Sequence, residues 1–237
     1  MSGFVKYLAV MSMLQCAVSC SSVTEERGAQ AIADLYGGQV DISKGASTTT
    51  AADDFQGKYL KITIVQSSAE KNFNDLRIPG SYCAAMLYSS LTPTEQENYS
   101  YYKVAFESAA GTHEFKFKTA GLVAINNAVA DVNSLLINLQ TGDQAKVLQA
   151  FNLSVVDSAK RAALPAELGK IAQQLDPISN YTVMGSETGE VEIAKQKIKL
   201  VRLVVRVEHA GKAAQMRLTV NPEMHPDQQF LYGLQLL

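Results

Sequence analysis

The stretch Ile198-Lys199-Leu200-Val201-Arg202-Leu203-Val204-Val205-Arg206-Val207-Glu208-His209-Ala210-Gly211-Lys212-Ala213-Ala214-Gln215-Met216-Arg217-Leu218-Thr219-Val220 decides the fold. Its apolar residues recur every second position, the period of a strand with one buried face. His209-Ala210-Gly211-Lys212 interrupts the pattern with a hairpin turn, because Ala-Gly supplies the compact reversal that joins antiparallel strands. Ala214, Met216, Leu218 and Val220 then resume the alternation. Within the first arm the phase slips. Ile198 and Leu200 are apolar at even numbers, whereas Val201, Leu203, Val205 and Val207 are apolar at odd numbers. Such a slip predicts a β-bulge or a sharply curved strand.

Outward from this hairpin, Ile178 to Met184 reads as a strand closed by a turn at Glu187-Thr188-Gly189, and Phe230, Tyr232, Leu234 and Leu236 read as a last strand. Upstream the period becomes helical. Ala128, Val129, Val132, Leu135, Leu136 and Leu139 form one apolar stripe, with Gly142 as its stop. Asp143 opens another helical stretch, Ser154 and Asp157 stand at capping-box spacing, and Pro165 starts a further one through Leu175. Helices followed by strands argue α+β. The first half repeats the mixture on a smaller scale. A strand near Tyr59–Val65, a helix over Tyr82–Leu91 and strands at Tyr101–Glu107 and His113–Lys118 make a β-α-β-β unit. Antiparallel sheets with packed helices are therefore expected throughout.

The beginning of the chain carries a different signal. Lys6, a short apolar run and Ala17-Val18-Ser19-Cys20 read as an export leader, too short to span a bilayer. Residues 1–19 are the leader, 20–57 a flexible tether rich in small polar residues, 58–122 the β-α-β-β unit and 123–237 the C-terminal α+β domain. Cys16 leaves with the leader. Cys83 lies on an apolar helix face with no nearby His, which suits a packed thiol rather than a nucleophile.

Composition narrows the function classes. With 21 Lys and Arg against 23 Asp and Glu, the net charge of −2 provides no field for nucleic acid. The sequence contains no HExxH, paired CxxC, P-loop, GxGxxG or GxSxG, so no cofactor or metal is assigned. His113, His209 and His225 have no carboxylate partner within their own elements and read as surface or turn residues. Arg202 and Arg206 share a strand face, where two planar guanidinium forks suit a carboxylate or phosphate, and Tyr181 joins them as a candidate pocket residue. The same spacing also fits the solvated face of a sheet.

Two resemblances follow from these residues. Ala-Val-Ser-Cys20 resembles the bacterial lipobox, which implies an acyl chain on Cys20 as the membrane attachment. Asn180–Glu187 and Phe230–Leu236 are similar to the first and last sheet strands of small secreted members of the nuclear-transport-factor-2-like (cystatin-related) cone fold, with Phe230 where that family usually carries Trp. The match covers about half the chain. Together these features look like lipoproteins of the Bacteroidetes type. The resemblance implies a curved, cone-like C-terminal sheet and an exported protein facing the periplasm or cell surface. Its expected role is non-catalytic binding of an envelope protein or small ligand. A small-molecule enzyme using the cone pocket, and an inhibitor-like or structural adaptor, stay open as alternatives.

Overall fold

A computed structural model describes residues 21–48, 55–175, 178–193, 195–224 and 228–237. The leader, Cys16, Cys20 and His225 lie outside the described residues. The first half contains α1 (Val23–Tyr36), β1 (Gln39–Ser47), β2 (Gly57–Val65), α2 (Ala69–Asn72), α3 (Arg77–Ser90), α4 (Pro93–Glu97), β3 (Tyr101–Ser108) and β4 (Gly111–Lys118). Its strands form one sheet in the order β1-β2-β3-β4. β1–β2 and β3–β4 are antiparallel, but the central pair β2–β3 is parallel, with Ile62 opposite Val104. A parallel pair needs a crossover, and α3 provides it.

The tether assigned to 20–57 is corrected by this architecture. Ser22 caps α1 through a capping box with Glu25, which satisfies backbone N–H groups at the helix start. Ile32 and Tyr36 on the same helix are fully buried. β1 pairs with β2 from Gln39↔Val65 to Ser47↔Gly57. Its small polar residues resemble a linker because β1 is an edge strand with one solvated face. Lys44 on the other face meets the buried Glu25 carboxylate at 2.9 Å and ties β1 to α1.

The second half contains α5 (Thr119–Gln140), α6 (Gln144–Ala150), a 3-10 turn at Leu153–Val155, α7 (Ser158–Leu175), β5 (Ile178–Ile193), β6 (Gln196–His209), β7 (Lys212–Val220) and β8 (Leu231–Leu236). The four strands are an antiparallel meander in chain order. The chain is α+β, with two four-stranded sheets. The expected hairpin is present, with Ala210 and Gly211 both at positive φ (45° and 75°) as a type I′ turn requires.

Four local expectations are revised. The boundary at 122/123 falls inside α5, whose buried face begins at Leu122 and Ile125. Glu187-Thr188-Gly189 is not a turn; β5 continues to Ile193 and reverses near Lys195, which has φ 68°. The register shifts of this pair lie in β5 rather than β6, because Ile178 pairs with His209 and Asn180 with Glu208, and Val183 with Val205 and Gly185 with Val204, leaving Ser179 and Met184 as extra residues. Pro165 lies within α7, which starts where Asp157 accepts the Lys160 N–H at 2.8 Å.

One apolar core runs through both halves. Ile62, Val104 and Phe106 of the first sheet, Leu87 of α3, Leu135 of α5 and Leu203 of β6 are fully or almost fully buried in it. α5 has the length and apolarity of a membrane span. Here its stripe Leu122, Ile125, Val132, Leu135, Leu136 and Leu139 is buried in the protein core.

Candidate functional site

The two halves meet where α3 packs on β5. Tyr36 donates its hydroxyl hydrogen to the Met184 carbonyl, and Ser81 donates to the Ser186 carbonyl while its hydroxyl also lies 2.7 Å from the Ser186 hydroxyl. All four residues are buried, so these bonds satisfy groups that would otherwise be desolvated without a partner. Gly185 permits the approach. A Cβ there would stand 2.6 Å from Ile78 Cγ2 and 3.2 Å from the Phe73 ring.

Beside this seam a groove opens between β4, the start of α5 and the projecting β5–β6 arm. Its volume is about 430 Å³. Phe117, Leu122, Ile125, Leu200 and Val201 give it an apolar floor. Phe55 closes one side, packed edge-on against Tyr101 with ring centroids 5.4 Å apart. Lys116 and Lys118 stand over the Phe55 ring at 5.5 and 5.7 Å. Their common placement follows from strand alternation, which sends Phe115 and Phe117 inward and both ammonium groups outward. Arg77, at the start of α3, lies 5.9 Å from the Phe117 centroid.

Two carboxylates along the groove are engaged on its α3–β5 side. Asp75 accepts the Arg77 backbone N–H at 2.8 Å and Glu187 meets Arg202 at 3.2 Å, while Lys199, opposite Glu190 in the strand register, turns its ammonium to Glu223 at 3.6 Å. The β4–α5 corner has a different character. Among the described residues α5 has no side-chain cap, and its own first turn carries no acidic residue.

The sequence-derived pocket residues are not brought together. Arg202 is half exposed and paired with Glu187, and Arg206 is half exposed beside Glu208 at 3.4 Å. Tyr181 pairs with Val207, on the opposite face from Thr182 and Arg206, and is partly buried against the core. None of the three lines the groove. The groove residues were visible in sequence only as an alternation, Phe115-Lys116-Phe117-Lys118. Nothing local reveals that this strand borders the other sheet.

The histidines do not converge. His113 lies on β4 opposite Phe106, beside a second hollow of about 400 Å³ that includes Glu70. His209 ends β6 on the other sheet. Among the described residues no group of three His, Cys, Asp or Glu side chains is arranged to hold a metal ion. Cys83 is completely buried, and burial pushes its thiol pKa far up, which disfavours the nucleophilic thiolate.

Comparison with protein-family models, with curated proteins and with solved structures finds no match to this chain.

Proposed function

We propose that this chain is an exported, lipid-anchored envelope protein that binds a ligand without chemically transforming it, at the groove between β4, α5 and the β5–β6 arm. The observation that carries the reading is the groove itself. Its volume of about 430 Å³ lies within the range of small-molecule sites, and an apolar floor beside a few placed charges is the usual construction of such a site. A small ligand suits this concavity better than a partner protein, which generally needs a broader surface.

The anchoring part of the proposal rests on Cys20 and the small residues before it. The early start of α1 changes its consequence. Only Ser21 separates Cys20 from the Ser22 cap, so an acyl chain on Cys20 would hold the folded body within about 7 Å of chain reach from the membrane attachment. The protein would then work at the bilayer surface rather than at the end of a long leash.

Intact mass and membrane fractionation of the wild type beside Cys20→Ala test this part. A mature chain starting at Cys20 with added acyl mass, lost to the soluble fraction in the variant, is the expected result. A soluble, unacylated wild type would refute it.

A further inference from the structure

We propose that the groove takes a short extended peptide, added as a further strand along the open edge of β5, with an apolar side chain beside Thr188 and a Lys or Arg beside Glu190. This inference rests on the reading of the groove as a ligand site and names the ligand class that site selects.

The lining sets the geometry. Ser186, Glu187, Thr188, Gly189 and Glu190 all border the groove. Successive strand residues point to opposite faces, so a hollow that touches five in a row runs along the edge of the strand rather than over one face. β5 is the first strand of its sheet and pairs only with β6, which leaves that edge without a neighbouring strand. Ser186 to Glu190 spans about 14 Å at about 3.4 Å per residue, the reach of four or five residues of extended chain.

The backbone shows where the edge is open. The Met184 carbonyl accepts the Tyr36 hydroxyl, and the Ser186 carbonyl accepts the Ser81 hydroxyl. Both carbonyls therefore face away from β6, toward α1 and α3. The twofold period of the strand carries the same outward direction to Thr188 and Glu190. These two residues are exposed, and among the described residues no backbone partner meets their outward N–H and C=O groups. The α3–β5 seam thus continues into the groove as an unsatisfied strand edge, the template on which an extended chain adds through main-chain hydrogen bonds.

Side chains supply the selection. Thr188 stands opposite Val201 and Glu190 opposite Lys199. Val201 is buried, and Leu122 and Ile125 continue the apolar floor, so a ligand residue beside Thr188 meets apolar surface. Lys199 turns its ammonium to Glu223, and among the described residues Glu190 is in no ion pair. A basic ligand residue beside Glu190 would complete a cross-strand charge pair. The other cations of the groove, Arg77, Lys116 and Lys118, belong to α3 and β4, so the basic side chain is selected at the arm end.

The test is titration calorimetry on the full chain carrying Cys20→Ala, which separates ligand choice from anchoring. The probes are acetyl-Thr-Leu-Thr-Lys-Thr-amide, the same peptide with Glu in place of Lys, and dodecanol. The Lys peptide is expected to bind about fivefold tighter than the Glu peptide, and Glu190→Gln should remove that preference. N-methylation of the Leu and Lys amides, and separately of the Thr amides, should have unequal effects. One set should cost about tenfold and the other little, because only alternate N–H groups face the edge. Thr188→Pro removes an outward donor and spares the β5–β6 ladder, so it should weaken the peptide about tenfold and leave dodecanol binding unchanged. Should that variant lose its melting midpoint, amide exchange on the wild type decides: saturating peptide should slow Thr188 and Glu190. Equal affinity for the two peptides, equal cost of both N-methyl sets, or exchange at Thr188 and Glu190 that the peptide does not slow would overturn the inference. Dodecanol binding that Leu200→Gln weakens would then leave the groove reading standing. Failure of the peptides and dodecanol alike would overturn both.

Discussion

The two sheets have the same number of strands but reach closure by different routes. In the second, each strand turns directly or through a short loop onto its neighbour, so β5 to β8 lie in chain order. In the first, β2 must wait for α2, α3 and α4 before β3 arrives parallel to it. Local closure needs little loop entropy, whereas the parallel pair fixes a long crossover before its contacts form. The first sheet compensates with large buried side chains: its own Tyr101, Tyr102 and Phe106, and Tyr36 of α1, are among the bulkiest fully buried residues. The nonlocal sheet thus depends on packing and the meander on local pairing, with the α3–β5 seam coupling them.

The largest perturbation of that comparison is Phe106→Ala. Removing a fully buried ring from the first sheet should cost about 3–5 kcal/mol, measured by urea unfolding. If the halves are coupled, the meander should be destabilised with it. Gly185→Val attacks the seam directly, since even a Cβ would meet Ile78 at 2.6 Å. Overpacking of this kind should cost about 1–3 kcal/mol. A neutral result would mean that β5 and α3 can separate freely.

Tyr102→Phe sharpens the comparison in the opposite direction. The Tyr102 hydroxyl is buried without a hydrogen-bond partner among the described residues, and its removal should stabilise the first sheet by about 1 kcal/mol. A loss of stability on thermal unfolding would show that the hydroxyl has a role the packing does not account for.

The smallest effect concerns the α1–α4 junction and acid. The Thr92 backbone N–H, followed by the Ser22, Thr24 and Thr92 hydroxyls, holds the Glu95 pKa down to about 2. Because the folded pKa is depressed, this contribution is present in full above the unfolded value of about 4.3 and is lost as pH falls through about 2. Amide exchange at Thr92 and Glu95 should therefore quicken over that acid window, and Glu95→Gln should remove the pH step. Unchanged pH dependence in Glu95→Gln would assign the step to another group.

Legibility in the sequence follows the same division. The His209–Lys212 hairpin, the alternation of β7 and the apolar stripe of α5 were readable because local period and burial coincide. β1 was not, because Ser43, Gly45 and Ser47 lie on an edge strand whose partner, β2, is set by tertiary pairing. The end of β5 was missed for a related reason: Glu187 to Glu192 belongs to a two-stranded arm with little buried surface, so its polar run imitates a turn. Arg202 and Arg206 share a strand face, but the pocket read for them with Tyr181 does not coincide with the groove, because both guanidinium groups are half exposed in ion pairs. The groove could not be found from either half alone, since Phe117 and Leu200 come from different sheets.

The most direct measurement is hydrogen exchange by mass spectrometry on wild type and Phe106→Ala, comparing the slowest amides of β2–β3 with those of β6. The substitution is expected to lower protection in both sheets by the same free energy, because one core joined at the α3–β5 seam unfolds together. Full protection of β6 alongside lost protection in β2 and β3 would contradict it, and would make the groove a gap between two independent bodies.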